Sequence, residues 1–210
     1  MAIIRLMKHI VDLDQSEILY DQPMTPETIA RDFEIKGGQW HTEDGWLIGE
    51  HPENFAAMIM SKAEYFGDIL VEFDAATVAP ATRDINVTFH GSWDNEKNIR
   101  DIAYVFGIEG WYQGYVGFEK SPDLSFVVNT KLFTFEPGRV YHVAVGNIGN
   151  VLFMTIDGEV AFEIRDPHPI DVNKYGLIGF EAFCTRVKYT NLKVRRIHAI
   201  DDFTPYTPEF

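Results

Sequence analysis

One cysteine, Cys184, stands in 210 residues. An intrachain disulfide is therefore excluded, and nothing in the cysteine usage points to an oxidising compartment. Basic residues are also scarce: 18 Lys and Arg face 32 Asp and Glu, for a formal net charge of −14. Nucleic acid is thereby excluded as a partner, because phosphate binding needs a basic face that releases counterions. The same deficit argues against anionic membranes. No hydrophobic run approaches the roughly 20 residues that cross a bilayer. The first residues, Met1-Ala-Ile-Ile-Arg-Leu-Met-Lys, interrupt their apolar positions with charge and lack a small-residue cleavage site, so a cytoplasmic location is the expectation. There is no glycine loop leading into a helix of the kind that cradles phosphate, and no Cys or His spacing suited to zinc.

What is abundant is apolar and aromatic: 46% of residues are hydrophobic and 16 are Phe, enough for a two-sheet core. Short β-branched and aromatic runs recur between Gly and Pro punctuation, and strands are expected from about 33 to 196. Asp157-Gly158, set between Val151–Ile156 and Val160–Ile164, is a strong hairpin signal. Only Thr25-Pro26-Glu27 looks like a helix start, an N-cap followed by proline and an acidic first turn. The expected fold class is all-β, a two-sheet antiparallel jelly-roll β-sandwich with under about 10% helix. Residues 1–32 read as a lead-in strand and short helical turn, 33–196 as the sandwich, and 197–210 as an arm. That arm, punctuated by Pro205 and Pro208, is expected along the surface or on a neighbouring copy in a homo-oligomer.

Several segments in order carry a resemblance: Gly38-Gln-Trp40, Asp44-Gly45-Trp-Leu47, Phe66-Gly-Asp68-Ile-Leu-Val-Glu72-Phe73, Ile156-Asp157-Gly158, Gly176-Leu-Ile-Gly179 and Asn191-Leu-Lys-Val194. Over about 33–196 the chain resembles the concanavalin A-like lectin/glucanase superfamily, with a layout similar to its laminin-G-like, 3-keto-disaccharide hydrolase and YesU-like branches. The resemblance implies a sandwich whose concave sheet handles carbohydrate, and leaves room for a structural Ca²⁺. It does not imply catalysis. The Glu-x-Asp-x-x-Glu strand of retaining β-glucanases is absent, as is the Arg, Gln-x-His and Tyr set of sandwich alginate lyases.

Alternation divides the central strands into faces. Ile85, Val87 and Phe89 form one apolar set, leaving Asn86, Thr88 and His90 opposite. Val116 and Phe118 leave Tyr115, Gly117 and Glu119 opposite. A saccharide site needs aromatic plates and planar hydrogen-bonding groups, and residues 90–120 are dense in both. His90 and Glu119 are candidate base and acid, with Arg100 or Lys120 as charge stabiliser. Asn86, Trp93, Tyr104, Trp111, Tyr115, Lys120 and Glu181 are candidate substrate contacts, and Tyr112 lies beside them. Structural alternatives stand next to these roles: a turn hydrogen bond for His90, an edge pair for Glu119 and Lys120, core packing for Trp40 and Trp46, and an ion pair with Arg186 for Glu181. Two functions follow: cleavage of a small glycoside or oligosaccharide by hydrolysis or elimination, or carbohydrate binding without chemistry.

Overall fold

Asp157 and Gly158 both adopt positive φ, 52° and 85°. That is the two-residue turn whose twist suits a hairpin. The strands on either side pair across it, Ile156 with Glu159 and Thr155 with Val160. The computed structural model describes residues 2–51, 56–111, 113–123, 125–131 and 134–202. The strands in chain order begin with β1 (Ile3–Arg5), β2 (His9–Asp12), β3 (Glu17–Asp21), β4 (Phe33–Gly37), β5 (Gln39–Glu43), β6 (Trp46–Glu50) and β7 (Ala56–Ser61). They continue with β8 (Ile69–Thr77), β9 (Ile85–Gly91), β10 (Trp93–Asp94), β11 (Ile99–Arg100), β12 (Ala103–Ile108), β13 (Val116–Ser121) and β14 (Ser125–Thr130). The last are β15 (Tyr141–Ile148), β16 (Val151–Ile156), β17 (Glu159–Arg165), β18 (Leu177–Phe183), β19 (Arg186–Arg196) and β20 (Ala199–Asp201). One helix, α1 (Pro26–Asp32), starts where its cap predicts: the Thr28 N–H donates to Thr25 Oγ1 at 3.2 Å.

Two antiparallel sheets make the sandwich. One runs β14-β13-β12-β9-β18-β7-β4; the other runs β17-β16-β15-β8-β19-β6-β5, with β3 also pairing with β19. Their inner faces meet in a core that includes Phe73, Phe89, Phe106, Phe118, Phe180 and Tyr189, each at most 1–2% exposed. Aromatics of this size dominate such an interior by area, and many pack edge-on or offset, as Phe73 and Phe180 do at 5.2 Å.

The termini join each other. β2 pairs with β1 on one side and β20 on the other. This small sheet covers Leu70, Ala144 and Phe153 with Ile4, Leu6 and Val11, which is why β8, β15 and β16 are apolar on both faces. The part of the C-terminal arm beyond residue 202 lies outside the described residues. No described helix is long and apolar enough to cross a membrane.

Candidate functional site

The outer face of the first sheet carries polar residues in register. Met58, Glu181, Asn86 and Gly107 stand side by side across β7, β18, β9 and β12, and Gly117 of β13 follows. The next row holds Met60, Gly179, Thr88, Val105 and Glu119. Glycine at 107 lets Asn86 and Trp111 pack directly over the strand: a Cβ there would stand 2.3 Å from Asn86 Oδ1 and 2.9 Å from the Trp111 ring. A cavity of about 310 Å³ adjoins them, lined by Asp84, Asn86, Arg100, Trp111, Glu119 and Glu181, with Met58, Val105 and Phe183 among its apolar walls.

Arg100 reaches this cavity from an excursion between β9 and β12. There β10 and β11 form a two-stranded flap in which Trp93 pairs with Arg100, closed by Asp94 Oδ1 accepting from the Glu96 and Lys97 N–H groups. From the flap, Arg100 Nη1 donates to Glu181 Oε2 at 2.5 Å and Nε donates to Ser121 Oγ at 2.9 Å. Its Nη2 stands 3.7 Å from Glu119 Oε1. The Trp111 indole N–H donates to Glu119 Oε2 at 2.7 Å. One guanidinium therefore serves two carboxylates, and all three side chains are at most 10% exposed. A buried pair of this kind holds only while each partner is present.

Asp84 and Asn86 complete the wall. Asn86 Nδ2 donates to Asp84 Oδ1 at 2.6 Å, while Asn86 Oδ1 is buried without a protein partner. Burial pushes the Asp84 carboxyl up to about 7; the Asn86 hydrogen bond opposes the rise, and the neighbouring Glu181 adds to it. Burial also raises Glu119, against the opposing hydrogen bond of Trp111 and the charge of Arg100. Behind the cavity, the Tyr189 hydroxyl of the second sheet lies 3.0 Å from Asn86 O and 2.9 Å from Glu181 O, sharing one proton between them. Tyr189 stacks on Phe180 at 4.1 Å, so the two strands bearing the site are held from the core side.

Asn86, Arg100, Trp111, Glu119 and Glu181 are thus brought together, and Asp84 joins them. Its signal was available, since 84 shares the even parity of Asn86 and Thr88. Glu181 pairs with Arg100 rather than Arg186, whose Nε lies 3.5 Å from Glu50 Oε2.

His90 requires a correction. The pairing of β9 with β18 shifts between Leu177 and Gly179, and His90 takes φ 47° there. A bulge reverses the parity beyond it. The imidazole consequently turns inward, fully buried, with Nε2 2.9 Å from Asn147 Oδ1 of the opposite sheet and Nδ1 3.0 Å from Tyr175 O. It cannot act as a base in the cavity. Tyr104 and Lys120 are corrected for a simpler reason: they pair with each other across β12 and β13, one residue out of phase with Val105 and Glu119. Tyr104 donates to Asp166 at 2.7 Å in the core, and Lys120 Nζ lies 2.6 Å from that same carboxylate. Trp93 also stands outside the cavity wall, half-buried, with the Lys36 ammonium 5.3 Å over its ring. Tyr115 precedes β13, outside the wall, where its carbonyl accepts from Glu109 N–H at 2.8 Å. Tyr112 lies outside the described residues.

Among the described residues, no group of three or more His, Cys, Asp or Glu side chains is arranged for a metal ion. Acidic residues that cluster along the sequence at 12–14, 94–96 and 201–202 hold partners within the protein. Asp12 Oδ1 accepts from the Asp14 and Gln15 N–H groups, Asp94 binds Lys97, and Asp202 binds Arg5.

No family model and no curated protein matches the chain by sequence. Solved structures do match its fold. The carbohydrate-binding module CBM66 from Bacillus subtilis aligns with a TM-score of 0.65 at 16% identity, over 78% of this chain and 95% of that one. A Bacillus subtilis protein of unknown function with a galectin-like fold aligns at 0.68 and 17% identity, over 86% and 96%. A candidate glycosyl hydrolase from Parabacteroides distasonis aligns at 0.56 and 14% identity, over 85% and 100%. The architecture is therefore a galectin-like β-sandwich, in agreement with the concanavalin A-like resemblance. None of these matches singles out one branch of that superfamily.

Proposed function

We propose that this protein binds saccharide, taking a single sugar residue or a chain end into the cavity on its seven-stranded sheet. The observation that carries the reading is the convergence of Asn86, Arg100, Glu119 and Glu181 beside the Trp111 indole in one hollow of about 310 Å³. Planar amide, guanidinium and carboxylate groups suit sugar hydroxyls, and an indole suits the C–H face of a ring. The volume lies at the low end of small-molecule sites, which run from roughly 300 to 1,000 Å³. It fits a terminal unit better than a long chain. The carbohydrate-binding module among the structural matches agrees with this reading, although fold alone does not fix function.

A catalytic reading keeps one specific observation. Asp84 is raised to about 7, and a carboxylic acid that stays neutral near physiological pH, beside a second carboxyl, is the equipment of a glycosidase. With His90 buried between the sheets, the proton donor of such an enzyme would have to be Asp84 or Glu119.

One experiment addresses both. The protein is titrated calorimetrically with mono- and disaccharides, and each mixture is then assayed for released reducing ends. Saturable binding that Trp111→Ala and Arg100→Ala weaken, without turnover, supports the binding reading. Turnover abolished by Glu119→Gln supports the catalytic one. Absence of binding across the panel overturns both.

A further inference from the structure

The cavity is rich in acceptors and poor in free side-chain donors. Arg100 is turned onto Glu181, Glu119 and Ser121; the Trp111 N–H is turned onto Glu119; the Asn86 amide N–H is turned onto Asp84. Against these stand three carboxyl groups, each able to accept about four hydrogen bonds when ionised. Asn86 Oδ1 adds an acceptor that is buried without a partner, on a residue only 6% exposed. Gly107 and Gly110 pack directly against that oxygen: a Cβ at Gly107 would meet it at 2.3 Å and one at Gly110 at 3.0 Å. An acceptor left without a hydrogen bond marks a wall short of donors.

Formal charge points the same way. With Asp84 neutral, Glu119 and Glu181 still outnumber Arg100 as the charged groups of the wall. Charges held this close in a part-buried wall act on a ligand far more strongly than they would in water. A ligand carboxylate here would meet like charge and acceptors; an ammonium would meet donor-seeking oxygens.

Resting on the saccharide reading, we propose that the cavity selects hydrogen-bond-donating, non-anionic sugars, prefers a protonated amino sugar to its neutral counterpart, and rejects uronates, with the Glu119 and Glu181 carboxylates receiving the ligand N–H and O–H groups. The selection lies in the acceptor surplus, not in the shape of the ring. It therefore applies within any one sugar configuration.

The test uses matched trios of neutral hexose, 2-amino-2-deoxyhexose and hexuronate in the gluco, galacto and manno series, titrated against the intact chain at low ionic strength. Within whichever series binds, the amino member should bind at least about threefold tighter than the neutral one, and the uronate at least about tenfold weaker. Glu119→Gln, checked for native circular dichroism, should narrow the interval between amino and neutral members. An amino member no tighter than the neutral one, or a uronate no weaker, overturns this inference and leaves the saccharide reading standing. Failure of every member to bind overturns the saccharide reading itself.

Discussion

Arg100 Nη1 stands 2.5 Å from Glu181 Oε2, joining residues 81 positions apart. The contact ties the β10–β11 flap to the middle of the seven-stranded sheet, and the same guanidinium faces Glu119 on the far side of the cavity. Remove the cation, and two buried carboxylates confront each other without compensation.

Arg100→Met should accordingly destabilise the protein more than Glu181→Gln does. Stripping one partner from a buried ionic cluster costs about 3–5 kcal/mol, because the remaining charge stays buried. Glu181→Gln leaves Arg100 facing Glu119 and forfeits mainly one charge-assisted bond, about 1.5–3 kcal/mol. Urea unfolding at pH 7.5 measures both. The Arg100→Met deficit should shrink as pH falls and the carboxyls take up protons.

Asp84 sets a pH dependence of definite sign. Its folded carboxyl sits at about 7 against an ordinary value of 3.8. The folded state therefore holds more protons than the unfolded one between those values, and stability falls as pH rises through that window. The whole shift corresponds to about 4 kcal/mol, fully expressed above pH 7 and absent below about pH 4. Asp84→Asn keeps the shape and removes the charge, and Asn tolerates the φ of 78° at this position. The variant should match wild type near pH 4 and exceed it increasingly towards pH 8. Denaturation midpoints across that range decide the matter; a gain that does not grow with pH would count against a neutral Asp84.

Two glycines in the Asn86 row of the sheet should behave differently. A Cβ at Gly107 would meet side-chain atoms of Asn86 and Trp111, whereas a Cβ at Gly117 would meet the backbone carbonyl of Val128 at 2.2 Å. Side chains can swing aside and a paired strand cannot. Gly107→Ala should therefore displace the Asn86 and Trp111 side chains that line the cavity, weakening ligand binding with the smaller loss of stability. Gly117→Ala should cost stability of the order of an overpacked core, about 1–3 kcal/mol or more. Thermal melts and ligand titration of the two proteins give the comparison.

Much of the sandwich was legible because its strands carry period-two patterning and positive-φ turns. Trp46–Glu50 and Ala56–Ser61 fall where the pattern sets them, and Asp157-Gly158 makes the turn it signals. Alternation also put Asn86 and Glu119 each on the non-core face of its own strand, while the sharing of one face by the two strands came only from the resemblance. Alternation fails at local departures from regularity. The His90 bulge inverts one side chain, and nothing in Phe89-His90-Gly91 distinguishes it from a regular strand end. Lys120 could have been excluded by parity with Glu119 alone. Arg100 enters the site through the flap, a tertiary placement that no periodicity encodes. The pairing of the two chain ends in β2 and β20 is equally non-local.

His90 offers the sharpest separation of a structural histidine from a catalytic one. Burial lowers its pKa below the ordinary value, outweighing the Asn147 and Tyr175 hydrogen bonds that favour the charged ring. The folded state then binds fewer protons than the unfolded state below about pH 6.5, so this residue costs stability as pH falls through that value towards its folded pKa. Its contribution opposes that of Asp84 over part of the same range, so the comparison must be made between variant and wild type at each pH. His90→Gln cannot charge. It should lose about 1–3 kcal/mol at pH 7 from the broken link to Asn147, and its deficit should narrow between pH 6.5 and 5. Saccharide affinity of the folded variant should stay within about twofold of wild type, since the His90 ring points into the core, away from the cavity face of β9, and a tenfold change would need about 1.4 kcal/mol of lost contact. Unfolding curves at several pH values and one ligand titration suffice. A folded His90→Gln protein that has lost its ligand, with no change in acid sensitivity, would return the imidazole to the binding face and overturn its assignment to the core.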